Sequence, residues 1–279
     1  GREALEVAVQ VVTTLDLRAG EPFLRVRSEV DNRAHDHRLR AHFPLPARVS
    51  GSTAECAFAV VERGLEAEGG PQEAALPTFP ARRFVDCSDG VVGLAVISDG
   101  LMEYELVNGG TELAVTLLRS VGYLSRLEPA LRPNPAGPPV PVEGAQMPGR
   151  VVRDYALALH RGGWEEAQLP ALADAALSPL ELAWGASPTS PAELALQGAG
   201  LRVDGAEVSA VGRDLDGALW VRLCRMSDAP GVARVAVGTG EAVGCEVDLL
   251  GRPGRSFAGS MTLRPWEILT LRLDEASLR

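Results

Sequence analysis

The stretch Arg82–Gly122, RRFVDCSDGVVGLAVISDGLMEYELVNGGTELAVTLLRSVG, decides the fold class. Its short apolar runs are separated by Ser88-Asp89-Gly90, Ser98-Asp99-Gly100 and Asn108-Gly109-Gly110. Val91–Ile97 is aliphatic and rich in β-branched residues, long enough for a strand and too short for a typical helix. Asp99-Gly100 and Asn108-Gly109 supply the positive φ angles that tight hairpin turns need. Leu113, Val115 and Leu117 alternate with Ala114, Thr116 and Leu118, so this run predicts a strand buried largely on both faces. The stretch as a whole predicts a meander of consecutive hairpins, and an all-β domain follows from it.

The flanking sequence continues the pattern. In Phe23–Val30, Leu24, Val26 and Val30 share one face while Arg25, Arg27 and Glu29 take the other. Leu39–Phe43 places Leu39, Ala41 and Phe43 inward and Arg38, Arg40 and His42 outward. Residues 66–80 read as a loop rich in glycine and proline. Pro129–Pro148 holds seven prolines and no periodicity, which predicts an extended surface segment, since proline cannot donate to a ladder. Arg153–His160 alternates as a strand. Trp164–Ala176 is the one plausible helix, with Pro170 as a break or restart.

Residues 177–199, with Pro179, Pro188 and Pro191, read as a linker. Strands resume at Ala218–Cys224 and Val232–Val237, with a turn at Asp228–Gly231 between them. Val243–Leu250 and Met261–Leu273 complete a smaller pair of sheets. Many short strands with little helix predict packed β-sheets in two units. The expected domains are 1–165, a linker with a short helix over 166–199, and 200–279.

Composition bounds the function. The 279 residues, 46% hydrophobic and 23% charged, are those of a globular protein. No apolar run approaches the length of a membrane span. A formal net charge of −10 disfavours nucleic acid and anionic membrane surfaces as partners. Cys56, Cys87, Cys224 and Cys245 lie far apart without CxxC spacing, which argues for free thiols in a reducing, cytoplasmic setting. The chain opens without methionine, inside the alternating run Leu5, Val7, Val9, Val11; this is the expected look of a piece cut from a longer polypeptide and not of a signal peptide.

A few side chains could carry chemistry. His35-Asp36-His37 with His42 has metal-ligating residue types, but alternation on a strand would turn His35 and His37 away from Asp36 and His42. Asp36, His37, Arg38 and Arg40 are instead candidates for a sugar-facing or interdomain surface. Asp86 and Asp89 could act as an acid/base pair, although capping a turn is the commoner use of such aspartates. Arg119 could clamp a ligand or pair with Asp86 or Asp89. Trp164, Trp184, Trp220 and Trp266 could stack on sugars, with Trp220 and Trp266 expected in the core. Gly69-Gly70 and Gly109-Gly110 read as turns and not phosphate loops.

Ordered blocks of this sequence resemble glycoside hydrolase family 38, the α-mannosidases. They are Asn32–Arg40 (NRAHDHRLR), the central RFVD–SDG–DG–TLLRS block, Gly144-Ala145-Gln146 with Tyr155-Ala156-Leu157 and Gly163-Trp164, and Trp220–Leu223 with Val247–Leu250 and Arg264–Thr270. The resemblance is to the family's C-terminal β region. It implies a galactose-mutarotase-like supersandwich followed by a smaller β-sandwich. The family's zinc, nucleophilic aspartate and general acid sit in an N-terminal α/β domain, and none of the matched blocks supplies them.

The resemblance therefore implies a non-catalytic β region of a retaining α-mannosidase, inactive alone. Its partner would be the zinc-bearing catalytic domain of the same polypeptide, which it packs against and supports. No cofactor is expected in this chain, and a mannoside is the conceivable substrate at its edge. An exposed apolar patch is expected where the catalytic domain would sit. The alternatives are a stand-alone carbohydrate-binding module, or a mutarotase-like sugar epimerase. The epimerase needs a paired His and Glu, and the spare histidines His42 and His160 have no evident glutamate in the sequence.

Overall fold

Hydrophobic alternation builds the first sheet. The computed structural model describes residues 6–100, 103–126, 131–178 and 200–274, so the expected linker and Trp184 lie almost wholly outside the described residues. Two compact units are present, Gly1–Pro179 and Leu180–Arg279.

In the first unit, a seven-stranded sheet runs in the order β1 (Gln10–Asp16), β2 (Leu24–Asn32), β11 (Gly149–Arg161), β8 (Val92–Ser98), β7 (Phe84–Ser88), β4 (Gly51–Cys56) and β5 (Ala59–Gly64). A four-stranded sheet runs β3 (Arg38–Pro44), β10 (Glu112–Arg119), β9 (Glu103–Val107) and β6 (Phe79–Pro80). All named pairings are antiparallel. The core between the sheets gathers Val26, Val85, Cys87, Val96 and Tyr155 from the larger sheet against Tyr104, Leu113 and Val115 from the smaller. β10 is buried on both faces, as its double alternation predicts.

The expected meander is corrected at its middle turn. Ser88-Asp89-Gly90 closes the β7–β8 hairpin and Asn108-Gly109-Gly110 closes β9–β10. Ser98-Asp99-Gly100 closes no hairpin; there the chain leaves one sheet for the other. The reason is that both edges of β8 are taken, by β7 and by β11, so β9 has no edge to pair with. Gly110 shows why its turn needs glycine. It sits at φ +82°, and a Cβ there would lie 2.1 Å from the Val49 carbonyl oxygen.

The opposite face of the larger sheet is covered by α1 (Leu169–Leu177), which buries Leu169 and Ala173 against Phe23, Phe84, Ala95, Ile97 and Ala158. Pro170 starts this helix, where its missing N–H costs nothing. The helix expected in a linker is thus a packed part of the first unit. Gly144-Ala145-Gln146 forms a short 3-10 turn, Glu143–Gln146, within the otherwise extended proline-rich segment. β1 starts at Gln10, later than the alternation at Leu5 to Val11 suggested, and Leu5 lies outside the described residues.

The second unit is a smaller sandwich. β12 (Leu201–Asp204), β15 (Gly231–Val237) and β19 (Ser260–Leu263) form one side, with β16 (Gly240–Glu241) on β15. β18 (Pro253–Ala258), β17 (Val243–Val247), β20 (Ile268–Leu273), β14 (Leu219–Cys224) and β13 (Glu207–Arg213) form the other. The two sides belong to one continuous nine-stranded sheet, joined in the ladder at the pair Ala258↔Ser260, beside Gly259. Val221, Leu223, Ala233, Val235, Phe257, Leu263 and Leu271 fill the space between. Two expected strands are shorter than read. Asp248-Leu249-Leu250 is a turn, capped by the Asp248 carboxylate on the Leu250 and Arg252 amides, with both leucines exposed. Arg264–Glu267 is likewise a turn that splits the Met261–Leu273 run into β19 and β20.

Candidate functional site

Three separated pieces of sequence meet beside the smaller sheet. Asp36 sits in the turn between β2 and β3 at φ +50°, not on a strand, so the alternation argument for His35-Asp36-His37 does not apply. Its carboxylate accepts from the Gly122 amide at 2.8 Å and from the Gln146 side-chain amide at 3.1 Å. These donors hold the Asp36 carboxyl below the usual carboxylate range. Gln146 Oε1 in turn accepts from the Asp36 amide at 2.9 Å and lies 2.7 Å from the Ser120 hydroxyl. Buried Asn32 donates to the carbonyls of Gln146 and Met147, each at 2.9 Å. The knot fastens the β2–β3 turn, the end of β10 and the proline-rich segment together. Gln146→Ala removes its central side chain and is expected to lower the unfolding free energy by about 1–3 kcal/mol in urea titrations.

Beyond this knot the outer face of the smaller sheet is a ladder of paired charges. Glu103 accepts from Arg38 at 3.1 Å and from the Thr116 hydroxyl at 2.6 Å, and lies 3.7 Å from Arg119. Burial works against the charge of Glu103, but the Thr116 hydroxyl and the Arg38 guanidinium outweigh it and hold the carboxyl low. Arg40 pairs with Glu105, and His42 Nδ1 lies 2.7 Å from Glu112. A groove of about 490 Å³ opens here, bounded by Asp36, His37, Arg38, Glu103 and Arg119. Both ring nitrogens of His37 are buried at its wall without a hydrogen-bond partner. Asp36, His37, Arg38, Arg40 and Arg119 therefore come together, while Asp86 and Asp89 do not join them. Arg119 is not paired with either aspartate, contrary to one expectation, because β10 carries it to the other sheet.

Asp86 and Asp89 have separate fates. Asp89 caps its turn, its Oδ1 accepting from the Val91 and Val92 amides at 2.9 Å each, which depresses its pKa. Asp86 caps nothing. It is 2% exposed in β7 and binds His160 Nε2 of β11 at 2.8 Å, the imidazole being 6% exposed. Burial alone would disfavour the His160 cation, but the Asp86 hydrogen bond and charge prevail and raise its pKa. The two spare histidines thus both have carboxylate partners, Glu112 and Asp86, that the sequence did not reveal. The tryptophans are also redistributed. Trp220 faces outward, packed on Gly212 with Arg222 over its ring, because Val221 and Leu223 take the inward positions. Trp266 lies in the β19–β20 turn and donates to Asp228 at 2.9 Å.

Residues 4–135 match the family model described as glycosyl hydrolases family 38 C-terminal domain. Over that region the chain is similar to the family 38 C-terminal domain. A family 38 protein from Enterococcus faecalis, solved by crystallography, superposes with a TM-score of 0.77 at 25% identity, covering 95% of this chain and 30% of that one. An alpha-mannosidase from Enterococcus faecalis V583 gives the same TM-score of 0.77 and 25% identity, with 29% of its chain covered. A Halalkalibacterium halodurans protein named "Putative mannosylglycerate hydrolase" is 36% identical over 124 residues, 44% of this chain and 14% of that protein. The chain spans less than a third of the length of each.

Seen on this fold, the sequence blocks are mostly devices for joining elements. Asn32 and Asp36, Ser120 and Gly122, and Gln146 build the knot; Asp89 builds the hairpin turn. Sequence reasoning missed Glu55 and Gln146, and named His160 as a spare histidine without its partner Asp86. The visible signal for His160 was a polar residue closing the apolar alternation of Tyr155–Leu159; Gln146 stood inside a quoted block with no role.

Proposed function

We propose that this chain is the supporting β region of a retaining α-mannoside hydrolase and does not itself carry the catalytic groups. The observation that carries this reading is coverage: 95% of the chain superposes on 29% of an alpha-mannosidase, which leaves most of that enzyme to other sequence. The commitments of the carboxylates support it. A retaining glycosidase needs two carboxyl groups roughly 5 Å apart and free to react. Here Asp36 and Asp89 serve turns, Asp86 serves His160, and Glu103 and Glu105 serve arginines.

We propose that the zinc, too, is held elsewhere. Asp36 and His42 are engaged by Gly122 and Glu112. We place the zinc, the nucleophile and the general acid in an upstream domain of the same polypeptide. An exposed apolar surface supports such a partner. β1 is an edge strand whose Val11, Val12 and Leu15 stand in solvent, an arrangement proteins ordinarily cover. The four cysteines form no disulfide among the described residues, and Cys87 is buried with its pKa pushed up, which supports a reducing cytoplasmic setting. No helix among the described residues is long and apolar enough to cross a membrane.

The reading is tested by placing a charge on the exposed edge within the polypeptide that holds both regions. Val12→Asp together with Leu15→Asp is expected to lower α-mannosidase activity at least about tenfold. Circular dichroism of the isolated chain should be unchanged. Unaltered activity would contradict docking through this edge.

A further inference from the structure

We propose that the outer face of the seven-stranded sheet carries a binding site for one neutral pyranose ring, walled by Trp164 and held by Glu62, Thr53 and Asp86. This goes beyond the supporting role and does not depend on it. A cavity of about 470 Å³ lies there, within the size range of small-molecule sites. Strand register sets its polar groups in one row. Thr53 is paired with Glu62 on one side and with Asp86 on the other, so the three side chains project from the same face on adjacent strands. The next row holds Ser88, Gly93 and His160.

The site is built, and its parts have costs. Gly93 has to be glycine, because a Cβ there would come 2.5 Å from His160 Cε1 and 2.8 Å from Ser88 Cβ. The absent side chain lets the imidazole lie across β8 and fix Asp86, itself 2% exposed, at the cavity floor. The Ser88 hydroxyl donates to the Gly162 carbonyl at 2.7 Å and so anchors the loop that presents Trp164. The side chains of Glu62 and Thr53 make no hydrogen bond or ion pair with the described residues, which leaves a carboxylate and a hydroxyl for a ligand.

Chemistry selects the ligand class. Two carboxylates and a hydroxyl accept and donate to sugar hydroxyls, while the indole offers an apolar face to the ring's C–H groups. The arginine among the lining residues is engaged, which disfavours an anionic ligand: Arg63 reaches the Tyr104 hydroxyl and lies over the Phe79 ring. A single divalent ion is disfavoured by spacing. Glu62 and Asp86 stand two strand intervals apart, about 10 Å, whereas calcium bonds are about 2.4 Å long. The same separation is too wide for the paired carboxyls of retaining glycoside hydrolysis, so the site binds and does not cleave.

The test titrates the full chain with methyl α-mannoside, methyl α-glucoside, calcium and inorganic phosphate, read by tryptophan fluorescence and saturation-transfer NMR. Saturable binding of a pyranoside is expected, weakened at least about tenfold by Trp164→Ala and by Glu62→Gln. Glu62 is exposed, so that second variant folds whatever Trp164→Ala does to the helix packing. The proposal is overturned by no pyranoside response, by a response unchanged in Glu62→Gln, or by calcium or phosphate binding where the sugars do not.

Discussion

Glu55→Ala is expected to lower the unfolding free energy of the first unit by about 3–5 kcal/mol, among the largest effects of any substitution in the chain. Glu55 is 1% exposed and held chiefly by Arg83, whose Nε lies 2.8 Å from Oε2 and whose amide donates to the same oxygen at 3.0 Å, with Arg82 at 3.6 Å from Oε1. Arg83 also reaches Asp174 of α1 at 2.5 Å, so one guanidinium ties β4, the entry to β7 and the helix. Removing the carboxylate leaves that cation desolvated against an apolar sheet. Removing both partners is different: Glu55→Leu with Arg83→Met deletes the buried charges together and is expected to recover most of the loss. Urea titrations, with amide exchange in β4 and β7 to identify the first unit's transition, check both outcomes. A Glu55→Ala loss below about 1 kcal/mol would show that the pair is not desolvated.

The second large effect belongs to His160 and depends on pH. His160→Gln leaves the Asp86 carboxylate buried without its cation and is expected to cost about 3–5 kcal/mol in mildly acidic solution. The sign follows from the raised pKa. A histidine whose folded pKa lies above its unfolded value of about 6.5 stabilises fully below that value and loses the benefit as pH rises through the folded pKa. The gap between the parent chain and His160→Gln should therefore be wide near about pH 6 and narrower near about pH 9. Stability curves at the two pH values decide it, and a gap that widens with pH would reverse the assignment of charge.

Local chemistry was readable in the sequence and long-range chemistry was not. Asn108-Gly109-Gly110 announced its hairpin because a positive φ is a property of the turn residues themselves. Ser98-Asp99-Gly100 is identical in sequence to the hairpin turn Ser88-Asp89-Gly90 and means something else, since whether a turn closes a hairpin depends on which strand edges are already occupied. Pro170 reads as a break or restart within Trp164–Ala176 and stands in the first turn of the helix, yet nothing nearby says that Leu169 and Ala173 would pack on the sheet.

Among the candidate site residues, Asp89 was recognisable as a cap because its acceptors are the next amides along the chain. Asp86 was not recognisable, because its partner is 74 positions away and the glycine that makes room for it belongs to a third strand. The knot of Asp36, Gly122 and Gln146 lay in separate family blocks, and only the fold shows that they serve one another.

The central claim is that the hydrolytic groups lie outside these residues. Its most direct test measures hydrolysis of an aryl α-mannoside, with zinc added, by this chain alone and by the polypeptide that also contains the upstream region. The account predicts turnover by the longer polypeptide and none above background by this chain. Turnover by this chain alone would contradict it, and would return Asp86, Glu62 and the Asp36–Arg40 segment to consideration as reacting groups.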